Sequence, residues 1–287
     1  MRNSLYLFVL ALVFSCSKDS TELIPNNVAP PDYTVDRVIK ENYINKLYIS
    51  MLGREPNTNE FNSARNLLGD EVTQESRELL VESVQAKEEY YGNMFNIIRQ
   101  DLINGVDTNQ IREDYINGFE EALENSDDPF EIQEIEEGLV KLYLLYNSTD
   151  DLKSNDATIT EIQARCVDNF IYDEINMGSF NYVVSIYQNF LHRYPTEYEI
   201  ENGVNMLDDE QAVCFGGNGN SKSDFNDLFF NHDGYYEGQV INIYNRILFR
   251  DPSSSESYEL TTLFKTDKDY KELQKRILIT DEYLGIE

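Results

Sequence analysis

Imidazole and thiol do most acid–base and nucleophilic work near neutral pH, and both are scarce in this chain. His192 and His232 are its two histidines, and Cys16, Cys166 and Cys214 its three cysteines. That supply excludes a His-rich metal centre, a zinc ribbon and a Cys-x-x-Cys-His haem attachment by counting alone, and no metal or cofactor is expected. Carboxylates are the other candidates, but 53 Asp and Glu residues make some close pair inevitable, so their number does not point to a hydrolase. The run Gly216-Gly217-Asn218-Gly219-Asn220-Ser221-Lys222-Ser223 lacks the Gly-x-x-x-x-Gly-Lys-Ser/Thr order of a phosphate cradle and reads as a flexible, exposed loop. Between Asp150 and Glu161, oxygen side chains fall at several calcium-loop offsets. Leu152 holds the third position and the turn glycine is missing, so a polar helix cap accounts for that segment better. Cys166 and Cys214 are expected to form a disulfide rather than two buried thiols; such a bond would close a long loop and add roughly 4 kcal/mol in the chain-entropy model.

One set of residue types does recur at fixed spacing. Tyr48, Leu52, Arg54, Pro56 and Glu60 are matched by Tyr187, Leu191, Arg193, Pro195 and Glu199, and again by Tyr244, Leu248, Arg250, Pro252 and Glu256. An echo follows each copy as Lys87-Glu88-Glu89-Tyr90, His232-Asp233-Gly234-Tyr235 and Thr280-Asp281-Glu282-Tyr283. Three paired Arg and Glu sites acting as catalytic centres in one chain would be an odd duplication. Helix-end chemistry explains the set better. Asn57, Thr196 and Ser253 follow the prolines as N-caps, and each Glu stands three residues further on, the spacing of a capping box. Proline ends the preceding helix, and the arginine sits where it can bond the last carbonyls of that helix or meet the Glu. Tyr and Leu, four residues apart, share a buried face. His192 occupies the offset of Gly53 and Phe249, and His232 that of Lys87 and Thr280, so neither position requires imidazole for folding.

The elements that must position this set are helices. In the first of them, residues 35, 39, 43, 47 and 51 form one stripe with 44, 48 and 52 beside it. Further amphipathic runs are expected near 74–92, 93–104, 109–125, 130–147, 157–176, 180–192, 197–207, 222–231, 235–249, 254–264 and 268–283, with Gly and Pro between them. The chain is therefore expected to be all-α: a helical-repeat bundle of about ten or more short helices with three related helix-turn-helix units. Two regions are expected, an N-terminal one over 35–176 with the first copy and a C-terminal one over 177–287 with the other two. The acidic stretch from Phe119 to Glu137 reads as a solvated helix face and turn.

The first residues carry an address. Arg2 is followed by an apolar run from Leu5 to Phe14, about half the roughly 20 residues that span a bilayer, so 1–15 reads as an export signal. Val13-Phe14-Ser15-Cys16 resembles the lipobox of bacterial lipoproteins, and the resemblance implies lipid attachment at Cys16. Ser17, Lys18 and Asp19 resemble the signal that sends lipoproteins of Bacteroidetes to the outer face of the outer membrane. Residues 16–34, with three prolines and no periodic pattern, read as a tether. The repeat itself, Tyr-x-x-x-Leu-Gly-Arg-x-Pro-x-x-x-Glu with a later Glu-Tyr pair, resembles the helical repeat of a domain of unknown function in bacterial surface proteins, akin to the phycobilisome linker domain. Tyr48, Leu52, Gly53, Arg54, Pro56, Glu60, Glu89 and Tyr90 carry that resemblance, while His192 and Phe249 replace the glycine in the other copies. It implies a non-enzymatic helical scaffold.

A formal charge of −30 opposes nucleic-acid binding, which needs the opposite sign of field. The expected function is a lipid-anchored, surface-exposed adaptor that docks to an outer-membrane protein complex, including a β-barrel of a transport, secretion or assembly machine. The alternative is capture of a surface glycan or nutrient, for which 20 tyrosines would supply contacts. An exposed apolar patch would favour the first and a concave tyrosine-lined cleft the second.

Overall fold

Asp36 opens the first helix, α1 (Arg37–Leu52), by accepting the amide of Val38 at 2.7 Å. The stripe expected from spacing is buried: Tyr43, Ile44, Leu47, Tyr48, Met51 and Leu52 all face the core. The computed structural model describes residues 34–286. The segment 1–15 expected to be a signal peptide, Cys16, Ser17, Lys18, Asp19 and the expected tether up to residue 33 lie outside the described residues. Val35–Glu287 forms one compact unit.

Helix then follows helix, and the fold class is all-α. The chain runs through α2 (Thr58–Leu68), α3 (Gln74–Gln85) and α4 (Glu88–Leu102). Next come α5 (Thr108–Gln110), a π-helical turn (Ile111–Ile116) and α6 (Asn117–Asn125), joined without leaving the helical region. They are followed by α7 (Pro129–Tyr146), α8 (Ser148–Ser154), α9 (Ile159–Val167) and α10 (Phe170–Ile175). The last part comprises α11 (Ser179–Leu191), α12 (Glu197–Leu207), a small hairpin of β1 (Ala212–Cys214) and β2 (Gly217–Gly219), and then α13 (Lys222–Phe230), α14 (Asp233–Ile247), α15 (Ser254–Asp267), α16 (Tyr270–Leu278) and α17 (Asp281–Leu284).

The copies of the repeat can now be read as four-helix units. Copy one is α1–α4 and copy three is α14–α17; copy two is α11–α14, so α14 both closes the second copy and opens the third. The first and last copies meet across the molecule. Tyr43 of α1 donates to the carbonyl of Leu278 at 3.1 Å, and Lys46 donates to the carbonyl of Tyr283 at 2.6 Å. Tyr90 donates to Gln274 at 2.6 Å, and Arg77 pairs with Asp281 at 2.6 Å. The ends of the folded body are thus clasped by buried tyrosines, while α9 supplies a buried chain in which Tyr235 donates to Gln163 and Gln163 to Gln239.

Two local expectations change and two hold. The runs expected at 74–92, 157–176 and 268–283 are each split, because a capping conformation interrupts them at Lys87, Asn169 and Thr280. Asn169 accepts the amides of Ile171 and Tyr172 while its own amide bonds the carbonyls of Arg165 and Cys166. The stretch expected as a flexible loop at 216–223 is built structure. Its first half is the hairpin, turned by Phe215 and Gly216 with φ of 52° and 81°, and Ser221 caps α13 by accepting the amide of Asp224. Asp150 and Asp151 lie in the first turn of α8, and Thr158 and Glu161 form a capping box, so that segment is a helix-cap pair. The acidic stretch spans α6 and the start of α7, where Asp128 caps α7.

Gly238, midway along α14, lets that helix touch α11: a Cβ there would lie 1.8 Å from the carbonyl oxygen of Phe190. Gly238→Ala should lower stability by at least about 2 kcal/mol, although alanine is the better helix former. Gly92→Ala, where a Cβ meets open space in α4, should raise stability by about 0.5–1 kcal/mol. Denaturant unfolding of both variants checks the contrast; equal effects would remove close helix contact as the reason for Gly238.

Candidate functional site

Each copy begins its turn with a left-handed residue. Gly53, His192 and Phe249 have φ of 71°, 53° and 56°, which reverses the chain after α1, α11 and α14. Glycine adopts this region freely; His and Phe do so at a cost of roughly 1 kcal/mol or more. Pro56, Pro195 and Pro252 then carry the chain to the caps. Asn57 accepts the amides of Asn59 and Glu60 at 3.0 Å each, Thr196 that of Glu199 at 3.3 Å, and Ser253 that of Glu256 at 3.4 Å. The glutamates reach back to the cap amides at 2.9, 2.8 and 2.7 Å, completing three capping boxes.

The same glutamates hold the arginines. Arg54 grips Glu60 with two bonds of 2.7 and 2.9 Å, Arg193 grips Glu199 at 2.8 and 2.6 Å, and Arg250 grips Glu256 at 3.0 and 2.7 Å. Each guanidinium also donates to the carbonyl of the next residue, Glu55, Tyr194 or Asp251. Beneath it lies the repeat tyrosine, with Arg193 4.8 Å from the ring centroid of Tyr187 and Arg250 5.0 Å from that of Tyr244. In copy one Lys87 lies 6.0 Å from the Tyr48 ring instead. Leu52 is buried and Leu191 and Leu248 are half-buried against the same core. One carboxylate therefore locks a helix start and a preceding helix end together.

The copies differ in the arginine's second partner. Arg54 also bonds Glu89 at 2.8 Å, and Arg250 holds Glu282 side-on with two bonds of 2.7 Å. In copy two the matching position is Gly234, and Arg193 keeps Glu199 as its one carboxylate among the described residues. A cleft of about 380 Å³ opens there, lined by Tyr187, Arg193, Tyr198, Glu199, Phe215 and His232. The sequence signal was present as the Glu, Gly, Glu series in the echo, but its meaning required knowing that the echo returns to the arginine.

His232 has a fold role after all: its Nδ1 accepts the amide of Gly234 at 3.0 Å and caps α14, as Thr280 caps α17. His192 lies with Nε2 3.3 Å from the carbonyl of Gly238. The expected disulfide is not formed. Cys166, on α9, and Cys214, on β1, are separate buried thiols, and burial pushes the Cys214 thiol up to about 11 and the Cys166 thiol higher still. A neutral thiol of that kind is a poor nucleophile.

A second cleft, of about 260 Å³, is lined by Tyr90, Tyr91, Tyr270, Asn155, Thr158 and Lys271, among others. Lys271 lies 4.4 and 5.3 Å from the ring centroids of Tyr91 and Tyr90 and covers both faces. Among the described residues no group of three or more His, Cys, Asp or Glu is placed to hold a metal ion, and no helix is long and apolar enough to cross a membrane. Compared with protein-family models, curated proteins and solved structures, the chain has no match.

Arg193 and the capped amide hold Glu199 down at about 2, and Arg250 with its capped amide does the same for Glu256; Arg54 holds Glu60 lower again. A carboxylate depressed in the folded state stabilises above its ordinary value and loses that contribution as pH falls through the folded one. The fold should therefore weaken from about pH 4.5 down to about 2. Glu256→Gln should cost about 1–2 kcal/mol at pH 7 and flatten that acid slope in denaturant titrations. A loss that stays constant down to pH 2 would contradict the linkage. At the preceding turn, Phe249 is 87% exposed. Phe249→Gly should raise the midpoint of unfolding by relieving about 0.5–1 kcal/mol of left-handed strain; a lower midpoint would mean that the ring makes a stabilising contact.

Proposed function

We propose that this chain is a lipid-anchored helical adaptor, tethered through Cys16, displayed on the outer face of an outer membrane, and docked there to a protein complex that includes a β-barrel. The reading is supported by the address carried by Ser17, Lys18 and Asp19 and by a repeat whose polar residues are engaged in holding turns together. The observation that carries it is an apolar surface around the α10–α11 junction. Phe170, Ile175, Met177 and Phe180 are 48%, 38%, 73% and 49% exposed within one short segment. Phe170 packs edge-on against Tyr115 and Phe119, and Met177 is the most exposed of the four. Clustered exposed apolar side chains of this kind are the usual mark of a protein contact.

Glycan or nutrient capture is the second reading, and the tyrosine-lined cleft favours it. That 260 Å³ cleft is smaller than the roughly 300 Å³ of typical ligand pockets and Lys271 lies over its Tyr90 and Tyr91 rings, while in the 380 Å³ cleft Arg193 lies over the Tyr187 ring. The adaptor reading is therefore preferred.

Mild-detergent affinity purification of the tagged protein from its native cells tests it. The wild type should bring one envelope complex in stoichiometric amount and incorporate a palmitate label that Cys16→Ser abolishes. Met177→Glu should cut recovery of the partner about tenfold without changing the melting temperature. Recovery of the lipidated protein alone would sink the adaptor reading.

A further inference from the structure

The three arginine turns differ in whether a second carboxylate reaches the guanidinium. In copies one and three a glutamate at the start of the returning helix, Glu89 on α4 or Glu282 on α17, completes the arginine's set of carboxylates. Arg250 shows the geometry in full: Glu256 takes one edge of the guanidinium, and Glu282 takes Nε and Nη2 on the other. In copy two the first edge is filled by Glu199 in the same way, but the returning helix α14 (Asp233–Ile247) carries Gly234 at the position of Glu89 and Glu282. The Nε of Arg193, like that of Arg54, makes no hydrogen bond among the described residues, and the Arg193 side chain is 46% exposed against 36% for Arg54 and Arg250. Beside Arg193 lies the 380 Å³ cleft, lined by the Tyr187, Tyr198, Phe215 and His232 rings, while the space next to Gly234 is taken by the His232 ring and Leu191.

We propose that Arg193 is a receptor for a carboxylate side chain of another polypeptide, which occupies the position that Glu89 and Glu282 fill in the other copies. The argument for a glutamate or aspartate is internal. The same turn binds a glutamate side chain twice in this molecule, each time through charge-assisted bonds of 2.7–2.8 Å. The buried Tyr187 ring, 4.8 Å from the guanidinium carbon, covers one face of Arg193 and adds a cation–π contact to the pair. That the carboxylate belongs to a partner protein rests on the adaptor reading; that the slot is open rests on the geometry alone.

The two are separated by titrating nitrogen-15-labelled full-length protein in detergent and following the Arg193 Nε–H signal, assigned by its loss in Arg193→Lys. N-acetyl-L-glutamate N-methylamide should move the signal with saturation in the millimolar range expected of a single small contact. The glutamine analogue should leave it in place. The double variant His232→Lys with Gly234→Glu rebuilds the Lys87–Glu89 arrangement of copy one and supplies its own carboxylate. It should abolish the response while the Arg54 and Arg250 signals, unchanged, report an intact fold. A signal that does not saturate, or that moves equally with the glutamine analogue, overturns the slot. A response to galacturonate but not to the glutamate probe overturns the polypeptide occupant. In the affinity purification, undiminished recovery of the partner by the double variant overturns the slot as a docking point and leaves the adaptor reading standing. Recovery of no partner by the wild type sinks the adaptor reading, and the titration then decides the slot by itself.

Discussion

A single carboxylate, repeated three times, ties together the parts of this fold that local propensity cannot. Glu60, Glu199 and Glu256 each accept a cap amide and two guanidinium protons, so the end of one helix and the start of the next are fixed by the same two oxygen atoms. Many helices here have fewer than a dozen residues, a length at which an isolated helix in water is marginal. Their direction relative to one another must come from the connections as well as from the core. The Arg–Glu turn supplies that direction at the surface, where a charge pair alone would contribute little. Combining the pair with capping amides, an underlying tyrosine and, in two copies, a second carboxylate makes the geometry rigid.

The core depends on that rigidity because its contacts are long-range. Tyr43 reaches the carbonyl of Leu278 and Tyr90 reaches Gln274, which joins copy one to copy three across most of the chain. These bonds bury tyrosine hydroxyls, whose satisfaction requires the acceptor to be in place. A turn that let α1 or α16 swing would leave those hydroxyls unsatisfied. Sharing α14 between two copies has a similar effect: its N-terminal residues belong to one turn and its C-terminal residues to the next, so strain at either end is carried to the other. The close approach at Gly238 fixes α14 against α11 midway between them.

Legibility in the sequence followed the range of the interaction. The capping boxes could be read because all their atoms lie within a few residues, and the α1 stripe because burial imposes a regular period. The second carboxylate could not, since Arg54 and Glu89 are 35 positions apart and Arg250 and Glu282 are 32 apart. Spacing showed the echo, but not that it folds back onto the arginine. The hairpin was hidden because Phe215 stands where Asn or Asp would advertise a left-handed turn, and the ring is held there by Phe225, Phe229 and Tyr187. The helix breaks at Lys87, Asn169 and Thr280 were masked by apolar patterns that continue on both sides of the cap. The cysteines misled for a related reason: spacing does not show that α9 and β1 bury each thiol separately.

The vacancy at Arg193 also bears on how an anionic protein recognises an acidic group. With a formal charge of −30, the molecule repels a carboxylate at long range, and salt weakens that repulsion over a Debye length of about 8 Å. The short-range attraction is different in kind, because two directed bonds from a guanidinium against aromatic walls are screened far less. Copy one meets the local charge problem with Lys87 beside Glu60, copy three places Arg250 between two carboxylates without another cation, and copy two holds one cation and one anion. A carboxylate added to copy two therefore creates no greater local excess than copy three already sustains. Selectivity then arises from approach: a partner must bring its acid on a surface otherwise neutral or basic, since a uniformly acidic surface would be turned away before the bonds could form.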